Sequence, residues 1–301
     1  MPARVLRAGY GTPVDRDLFP DPHALDARAG LRPVHELLVG RRIAVLTGAG
    51  VSTSSGIPDY RGPDAKPRNP MTYQEFMADV GNRRHYWARN QFGWHFVARA
   101  EPSAAHTALA TLETAGAVDG IITQNIDRLH QKAGSVAVVD LHGTYAWVVC
   151  TSCRSRFPRE EVSRYLDELN PGFYDGMDSA ADVEYAPDAD ATVEHTAGFR
   201  VWDCPVCQGV LKPDVVFFGE NATALNVALA RRMVTHADAL LVAGSSLTVN
   251  SGRRYVRQAA REGKPVVIVN HGVTGADELA TLKVDAQVGE FLTDLASLLV
   301  P

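Results

Sequence analysis

The chain's four cysteines fall as Cys150, Cys153, Cys204 and Cys207, two CxxC pairs with none left over. Each pair makes a metal knuckle, and four thiolates suit tetrahedral zinc. Such a closed site leaves no open position for a substrate, so the metal is expected to be structural. A lone CxxC can be a redox pair, but two matched pairs favour a metal, and a secreted disulfide scaffold would be shorter and richer in cysteine. The other string that could do chemistry is Thr47-Gly48-Ala49-Gly50-Val51-Ser52-Thr53-Ser54-Ser55-Gly56-Ile57-Pro58-Asp59-Tyr60-Arg61-Gly62, directly after an apolar run. Glycines at the C-terminal end of a strand let the backbone approach a pyrophosphate, whose charge is met by exposed N–H groups and a helix N-terminus. Thr53 stands where GxGxxG requires its last glycine, so this is not the dehydrogenase fingerprint.

Further matches follow in Thr123-Gln124-Asn125-Ile126-Asp127-Arg128-Leu129-His130, Leu141-His142-Gly143 and Lys212-Pro213-Asp214-Val215-Val216-Phe217-Phe218-Gly219-Glu220. Together with the glycine string and the cysteines, they resemble the sirtuins along most of residues 41 to 290. The resemblance implies an NAD-dependent protein-lysine deacylase that cleaves NAD, releases nicotinamide and forms free lysine and O-acyl-ADP-ribose. It implies that Gly48, Ala49, Gly50, Ser54, Ile57, Pro58, Asp59, Tyr60 and Arg61 fold over the dinucleotide, with Gln124 beside Arg61 at the ribose. Asn125 and Asp127 would hold nicotinamide, since an amide and a carboxylate at a strand end can hydrogen-bond a carboxamide. His142 would be the general base, an imidazole titrating near neutrality and able to take a ribose hydroxyl proton. Gly244, Ser245, Ser246, Asn270, His271 and the region of Val288 resemble the remaining dinucleotide contacts, with Ser245 where a threonine is common in the family. Val215, Val216, Phe217, Phe218 and Gly219 resemble the segment that pairs with a substrate peptide by strand addition and lines the acyl-lysine tunnel.

The branch of the family is read differently by different residues. Tyr86-x-x-Arg89 resembles the pair with which the desuccinylase branch holds an acidic acyl tail, whereas Tyr86-Trp87-Ala88-Arg89-Asn90 with Gly93-Trp94 looks more like the class II branch. On a helix, positions three apart share a face, so a phenol and a guanidinium could both meet a terminal carboxylate. The competing reading packs Tyr86 in a small domain and leaves Arg89 in a surface ion pair. Two other functions stay open at this point: ADP-ribose transfer from the same electrophile, and a non-catalytic NAD-sensing or peptide-binding module.

These residues need a frame. The run Arg41 to Thr47 is a buried-strand pattern, with comparable runs at Gly120 to Thr123, Ala239 to Ala243 and Pro265 to Asn270. Helical stretches, including Ser103 to Ala115 and Ala224 to His236, separate them. The expected fold is α/β, a Rossmann-like parallel sheet with helices on both faces, carried by residues 35–60, 101–149 and 212–301. A smaller second domain would come from a helical insertion at 61–100 and a zinc module at 150–211. Residues 1–34 read as an irregular extension with room for one short helix, and Tyr165 to Phe199, acidic and without Lys or Arg, as a solvated loop. With 301 residues, 46% hydrophobic and 22% charged, the chain has the composition of a globular protein. A net charge of -5 gives no general attraction to nucleic acid, and no segment has the apolar length of a membrane span, so a cytoplasmic protein acting on acyl-lysine peptides is expected.

Overall fold

The computed structural model describes residues 24–60, 70–175, 191, 193 and 196–300. In chain order the elements are β1 (Leu25–Asp26), α1 (Ala27–Leu38), β2 (Ile43–Thr47), α2 (Tyr73–Ala78), α3 (Val80–Val97), α4 (Ala104–Thr114) and β3 (Val118–Thr123). There follow α5 (Leu129–Lys132), β4 (Val138–Asp140), β5 (Gly143–Cys150), β6 (Arg156–Pro158), α6 (Arg159–Leu169) and β7 (Leu211–Val215). The chain ends with α7 (Ala224–His236), β8 (Ala239–Ala243), α8 (Asn250–Arg261), β9 (Val266–Val269), β10 (Leu282–Asp285) and α9 (Val288–Leu299).

Every residue of β2, β8 and β9 is buried, as continuous apolar strands must be when helices cover both faces. Alternate side chains take opposite sides: Val45, Ile121, Leu241 and Val267 pack with Leu109, Leu112, Leu292 and Leu295 from α4 and α9. Leu46, Ile122, Leu240 and Ile268 pack with Val234 from α7 and Tyr255 and Val256 from α8. The sheet has the order β1-β10-β9-β8-β2-β3-β4, and all its pairs are parallel. From β2 the chain steps one way to β3 and β4, then returns to the other side for β8, β9 and β10. The order therefore reverses between β2 and β8, the position at which open α/β sheets place ligands beyond their strand ends.

A second sheet, antiparallel with order β6-β5-β7, packs with α2, α3 and α6 around an aromatic core that includes Phe76, Trp87, Tyr145, Phe199 and Phe217. Arg159, at the start of α6, is fully buried there, its guanidinium 5.4 Å from the Trp87 ring and 4.8 Å from the Trp94 ring. Burial pulls its pKa down to about 10, so it stays charged at neutral pH, favoured by the two ring faces and by the charge of Asp167.

Two segment boundaries differ from the sequence expectation. Residues 143–149 and 212–215, expected in the nucleotide-binding part, hydrogen-bond to each other in the small sheet, because His142 ends the large sheet's reach and β5 turns away from it. The short helix for which the N-terminal stretch had room is α1, which begins at Ala27 and runs past residue 34 to Leu38; it is capped by Asp26, whose carboxylate accepts from the Ala29 N–H at 2.8 Å. Ahead of it, β1 pairs with β10, a contact too short to leave a periodic signal.

Candidate active site

The loop after β2 crosses the carboxyl ends of β2 and β8 in close backbone contact. Gly50 N–H donates to the Gly244 carbonyl at 2.9 Å, and a Cβ on Gly50 would lie 2.9 Å from the Gly244 Cα. Gly244 itself has φ +60°, and a Cβ there would be 2.6 Å from the Val51 nitrogen, so neither position tolerates a side chain. Among the described residues the expected helix N-terminus is absent at this point: the loop makes two short 3-10 turns, Ala49–Val51 and Thr53–Ser55, and the next described α-helix begins at Tyr73. Gly56 in left-handed conformation ends the second turn, and the chain continues through buried Ile57 to Pro58, Asp59 and Tyr60. The Tyr60 ring meets Phe218 edge-on at 6.2 Å. Arg61 lies outside the described residues.

The turns aim Ser52 inward. Its hydroxyl donates to Asp127 Oδ2 at 2.7 Å and accepts from Asn125 Nδ2 at 3.0 Å, while the same Asn125 amide donates to the Gly48 carbonyl at 3.1 Å. Leu129 N–H donates to Asp127 Oδ1 at 2.9 Å. Burial raises the pKa of Asp127, and the hydrogen bonds to its carboxylate act against that rise. Behind Ser52 lie two buried histidines, His106 and His130, with ring centroids 4.7 Å apart. Ser103 N–H donates to His106 Nδ1 at 3.1 Å, which leaves the proton on Nε2, 3.5 Å from Ser52 Oγ. His130 Nε2 is 2.9 Å from Thr47 Oγ1. Burial pushes the two imidazoles down to about 4 and about 3, so both are neutral at physiological pH.

Gln124, at the end of β3, is held from two sides: its N–H donates to the Thr47 carbonyl at 3.0 Å, and its Oε1 accepts from Ser245 Oγ at 2.7 Å. Its carbonyl faces His142 Nδ1 at 3.0 Å. A carbonyl only accepts, so Nδ1 carries the proton and Nε2 the lone pair. Burial, with a smaller contribution from Arg254, lowers the His142 pKa against the pull of the Gln124 carbonyl. A neutral imidazole whose Nε2 carries the lone pair is a general base at neutral pH.

The structure thus brings Gly48, Ala49, Gly50, Gln124, Asn125, Asp127, His142, Gly244 and Ser245 around one end of the sheet. Ser246 accepts the Gly275 N–H through its carbonyl, and Asn270 and His271 follow β9 one strand further on. The Asn270 amide is turned onto the His271 carbonyl at 2.7 Å, and His271 Nδ1 is 3.0 Å from Asp285 Oδ1. Val288 opens α9 with its side chain in the core, so it has only backbone to offer a ligand. Ser54 is exposed at the second turn.

The segment after β7 is drawn against His142. Val216 N–H donates to the His142 carbonyl at 2.7 Å, Phe217 packs 4.9 Å from Tyr86 and 5.2 Å from Phe76, and Phe218 bridges to Thr72. The apolar run is strand only as far as Val215; beyond it Glu220 folds back to accept from Phe217 N–H and from buried Lys212, which closes a turn that includes Gly219. Tyr86 and Arg89 part company: Tyr86 joins Phe217, but Arg89 Nε donates to the Ala191 carbonyl at 2.7 Å and Nη1 lies 3.0 Å from His85 Nε2. Sequence reasoning passed over Ser52, His106 and Ser251, which lies 2.8 Å from His142 Nε2. Ser52 was inside the quoted string, and Ser103-x-x-His106 has the spacing of a helix-capping box.

The four thiols meet where β5 ends. Cys150 Sγ is 3.5 Å from Cys207 Sγ, Cys153 Sγ is 3.7 Å from Cys204 Sγ, and all four sulfurs lie within 4.8 Å of one another. Four sulfurs on a tetrahedral zinc at about 2.3 Å stand roughly 3.8 Å apart, so the set fits the ion. The two knuckles repeat one geometry: Arg154 and Gln208, each four residues after the first cysteine of its pair, have positive φ and donate N–H to the carbonyl of Cys150 or Cys204. An extended strand separates His142 from Cys150, on the order of 20 Å, so the metal has a folding role and none at the imidazole. Cys204→Ser is expected to drop zinc content from about one equivalent to below a fifth, and to lower the melting temperature, because binding and folding of such a module are coupled. Metal analysis with a thermal melt checks this, and full zinc retention would reject the assignment.

The Sir2 family model matches residues 48–251. A protein of Mycobacterium avium (strain 104) named NAD-dependent protein deacetylase 1 is 54% identical over 265 residues, covering 88% of this chain and 94% of its own length. A protein of the same name from Streptomyces coelicolor is 50% identical over 268 residues, covering 88% and 89%. Among solved structures, one described as "Sir2-p53 peptide-NAD+" aligns with TM-score 0.69 and 31% identity over 89% of this chain and 97% of that one.

Proposed function

The chain belongs to the Sir2 family, and from that premise we propose that it is an NAD-dependent protein-lysine deacylase whose site is the cluster at the β2–β8 switch point. The observation that carries the reading is the pairing of a fixed amide and carboxylate, Asn125 and Asp127, with a neutral, oriented imidazole, His142, on adjacent strand ends. Similar proteins bear the name NAD-dependent protein deacetylase, and a similar structure holds 2'-O-acetyl-ADP-ribose with a deacetylated p53 peptide.

The residues present fit the dinucleotide. Gly48, Gly50 and Gly244 leave backbone where side chains would stand, and Ser55 Oγ is buried with no hydrogen-bond partner among the described residues. Bound NAD supplies an anomeric carbon that becomes electrophilic as nicotinamide leaves. Asn125, held by Gly48 and Ser52, and Asp127, held by Ser52 and Leu129, present fixed polar groups to a carboxamide without first having to reorganise. His142 Nε2 then takes a ribose hydroxyl proton, while the imidazolium so formed is steadied by the Gln124 carbonyl on Nδ1. Gly48, Ala49, Gly50 and Gly244 seat the dinucleotide, Gln124 and Ser245 line the ribose side, and Ser54, Ile57, Pro58, Asp59 and Tyr60 belong to the covering loop, with Arg61 next in sequence. Ser246, Asn270, His271 and the backbone at Val288 line the adenosine side.

The peptide substrate pairs along Val215, Val216, Phe217, Phe218 and Gly219. In support of this, β7 is the edge strand of its sheet and leads directly into this segment. The Val216 link to the His142 carbonyl brings such a peptide to the imidazole. A cytoplasmic location accompanies this reading, since the four cysteines cluster as a metal site and form no disulfide, as suits a reducing compartment.

His142→Ala is expected to lower acetyl-peptide turnover by about 10²- to 10⁴-fold, the usual worth of a positioned general base, while NAD affinity changes less than about threefold. Mass spectrometry of lysine, nicotinamide and O-acyl-ADP-ribose checks turnover, and calorimetry checks binding; near-native turnover would remove His142 from its role. Arg89 bears on acyl choice. Its Nε and Nη1 already serve Ala191 and His85, so it ties the small domain together rather than reading a carboxylate tail. In Arg89→Met the ratio of succinyl- to acetyl-peptide turnover is expected to stay within about threefold of the parent, whereas loss of a charge-assisted contact would move it by roughly ten- to a hundredfold. A change of that size in a two-peptide assay would restore Arg89 to the acyl tunnel.

A further inference from the structure

His142 is gripped at both ring nitrogens. The Gln124 carbonyl fixes the Nδ1 proton at 3.0 Å, and Ser251 Oγ lies 2.8 Å from Nε2. Since Nε2 bears the lone pair, the Ser251 hydroxyl must be the donor in that contact. Ser251 belongs to the first turn of α8, and its neighbour Gly252 is buried with the Gln124 carboxamide against it: a Cβ on Gly252 would meet Gln124 Cδ, Oε1 and Nε2 at 2.9 Å. Ser245, at the other end of the same short segment, donates to that carboxamide's Oε1 at 2.7 Å. The result is a closed circuit in which one stretch of chain, 245–252, holds the side chain of Gln124 while the main chain of Gln124 holds one face of His142 and Ser251 holds the other.

We propose that Ser251 is a positioning residue for His142, its hydroxyl fixing the imidazole rotation and keeping Nε2 in the unprotonated state that abstracts a proton. The proposal rests on the deacylase reading of the site for its consequence, but not for its test. A hydrogen bond donated to the neutral ring disfavours the imidazolium, and it works in the same direction as the burial that lowers the His142 pKa. The surroundings contain little to oppose it. Arg254 faces His142 from α8 and also disfavours the cation; β3 presents the Gln124 carbonyl, which favours it; the segment after β7 presents the Val216 N–H to the His142 carbonyl. Among the described residues no carboxylate contributes to the shift. Removing the Ser251 hydroxyl therefore leaves the ring anchored on one side only, and its basic nitrogen more easily protonated.

The test reads the imidazole directly, in the full-length zinc-loaded protein without NAD, by ¹H–¹⁵N correlation of histidine-labelled samples with His142 assigned from His142→Ala. The parent should show the Nδ1–H tautomer with an unprotonated Nε2. In Ser251→Ala the His142 pKa should rise by about half a unit or more, the worth of one neutral hydrogen bond. The acid limb of the kcat/KM profile should move up by the same amount, and kcat at neutral pH should fall about fivefold or more while KM for NAD and peptide stays within about twofold. Ser251→Thr, which keeps the hydroxyl, should restore both the pKa and the acid limb, and it separates loss of the donor from disturbance of α8. An Nε2–H tautomer in the parent, or an unmoved His142 pKa in Ser251→Ala, would overturn the proposal. If the deacylase reading itself were wrong, turnover would be missing from every variant while the resonance signature still reported on Ser251.

Discussion

The backbone of Gly50 and Val51 lies directly on Gly244, and the rest of the site depends on that contact. Strands β2 and β8 are neighbours in the sheet, but the connections leaving them run in opposite directions, which opens a crevice at their ends. With no Cβ at Gly48, Gly50 or Gly244, the loop after β2 can lie in the mouth of that crevice. From there its 3-10 turns point Ser52 at Asp127 and the Gly48 carbonyl at Asn125. A helix starting at this point would have carried those groups away from the strand ends. The departure from the dehydrogenase fingerprint at Thr53 is the sequence trace of that difference: its side chain bonds back to the Gly50 carbonyl at 3.2 Å and steadies the turn.

Burial acts on the two ionisable groups of the site in opposite senses. It raises the Asp127 pKa and lowers that of His142, in each case favouring the neutral form, and hydrogen bonds then decide how far each one moves. Asp127 accepts from Ser52 and Leu129, so its charged form is supported. His142 keeps its proton on Nδ1 because a carbonyl faces it. The neutral pair His106 and His130 behind Ser52 adds no charge to this arrangement and supplies one more donor, from His106 Nε2, to the Ser52 oxygen. The zinc module enters only through mechanics: β5 ends at Cys150, the first of the four cysteines, and follows His142 at its other end, and its partner β7 leads into the Val216 to Phe218 segment.

The sequence made legible what strong periodicity or tight spacing encodes. The buried strands at Ala239–Ala243 and the helix at Ala224–His236 stand where their patterns place them, and the cysteine quartet closes as its spacing demands. Less visible were contacts made by chain reversals. The pairing of β5 with β7 joins Gly143 to Val215 across the whole zinc module, and nothing local in either strand names its partner. Ser251 escaped notice for the same reason, because its relation to His142 spans 109 residues and no motif of one segment carries it. Tyr86 and Arg89 show the limit of helical spacing: positions three apart share a broad face, but here one side chain joins the aromatic core while the other reaches Ala191.

The most direct measurement of the central claim is calorimetric titration of NAD into Gly244→Ala, with far-UV circular dichroism and zinc content measured on the same sample. A methyl group there would stand 2.6 Å from the Val51 nitrogen, so the loop must lift from the strand ends. NAD affinity should fall at least about tenfold, a loss of roughly 1.4 kcal/mol or more, while secondary structure and bound zinc remain near parental values. Parental NAD affinity in that variant would contradict the account, because the glycine contact at the switch point would then not shape the nucleotide site.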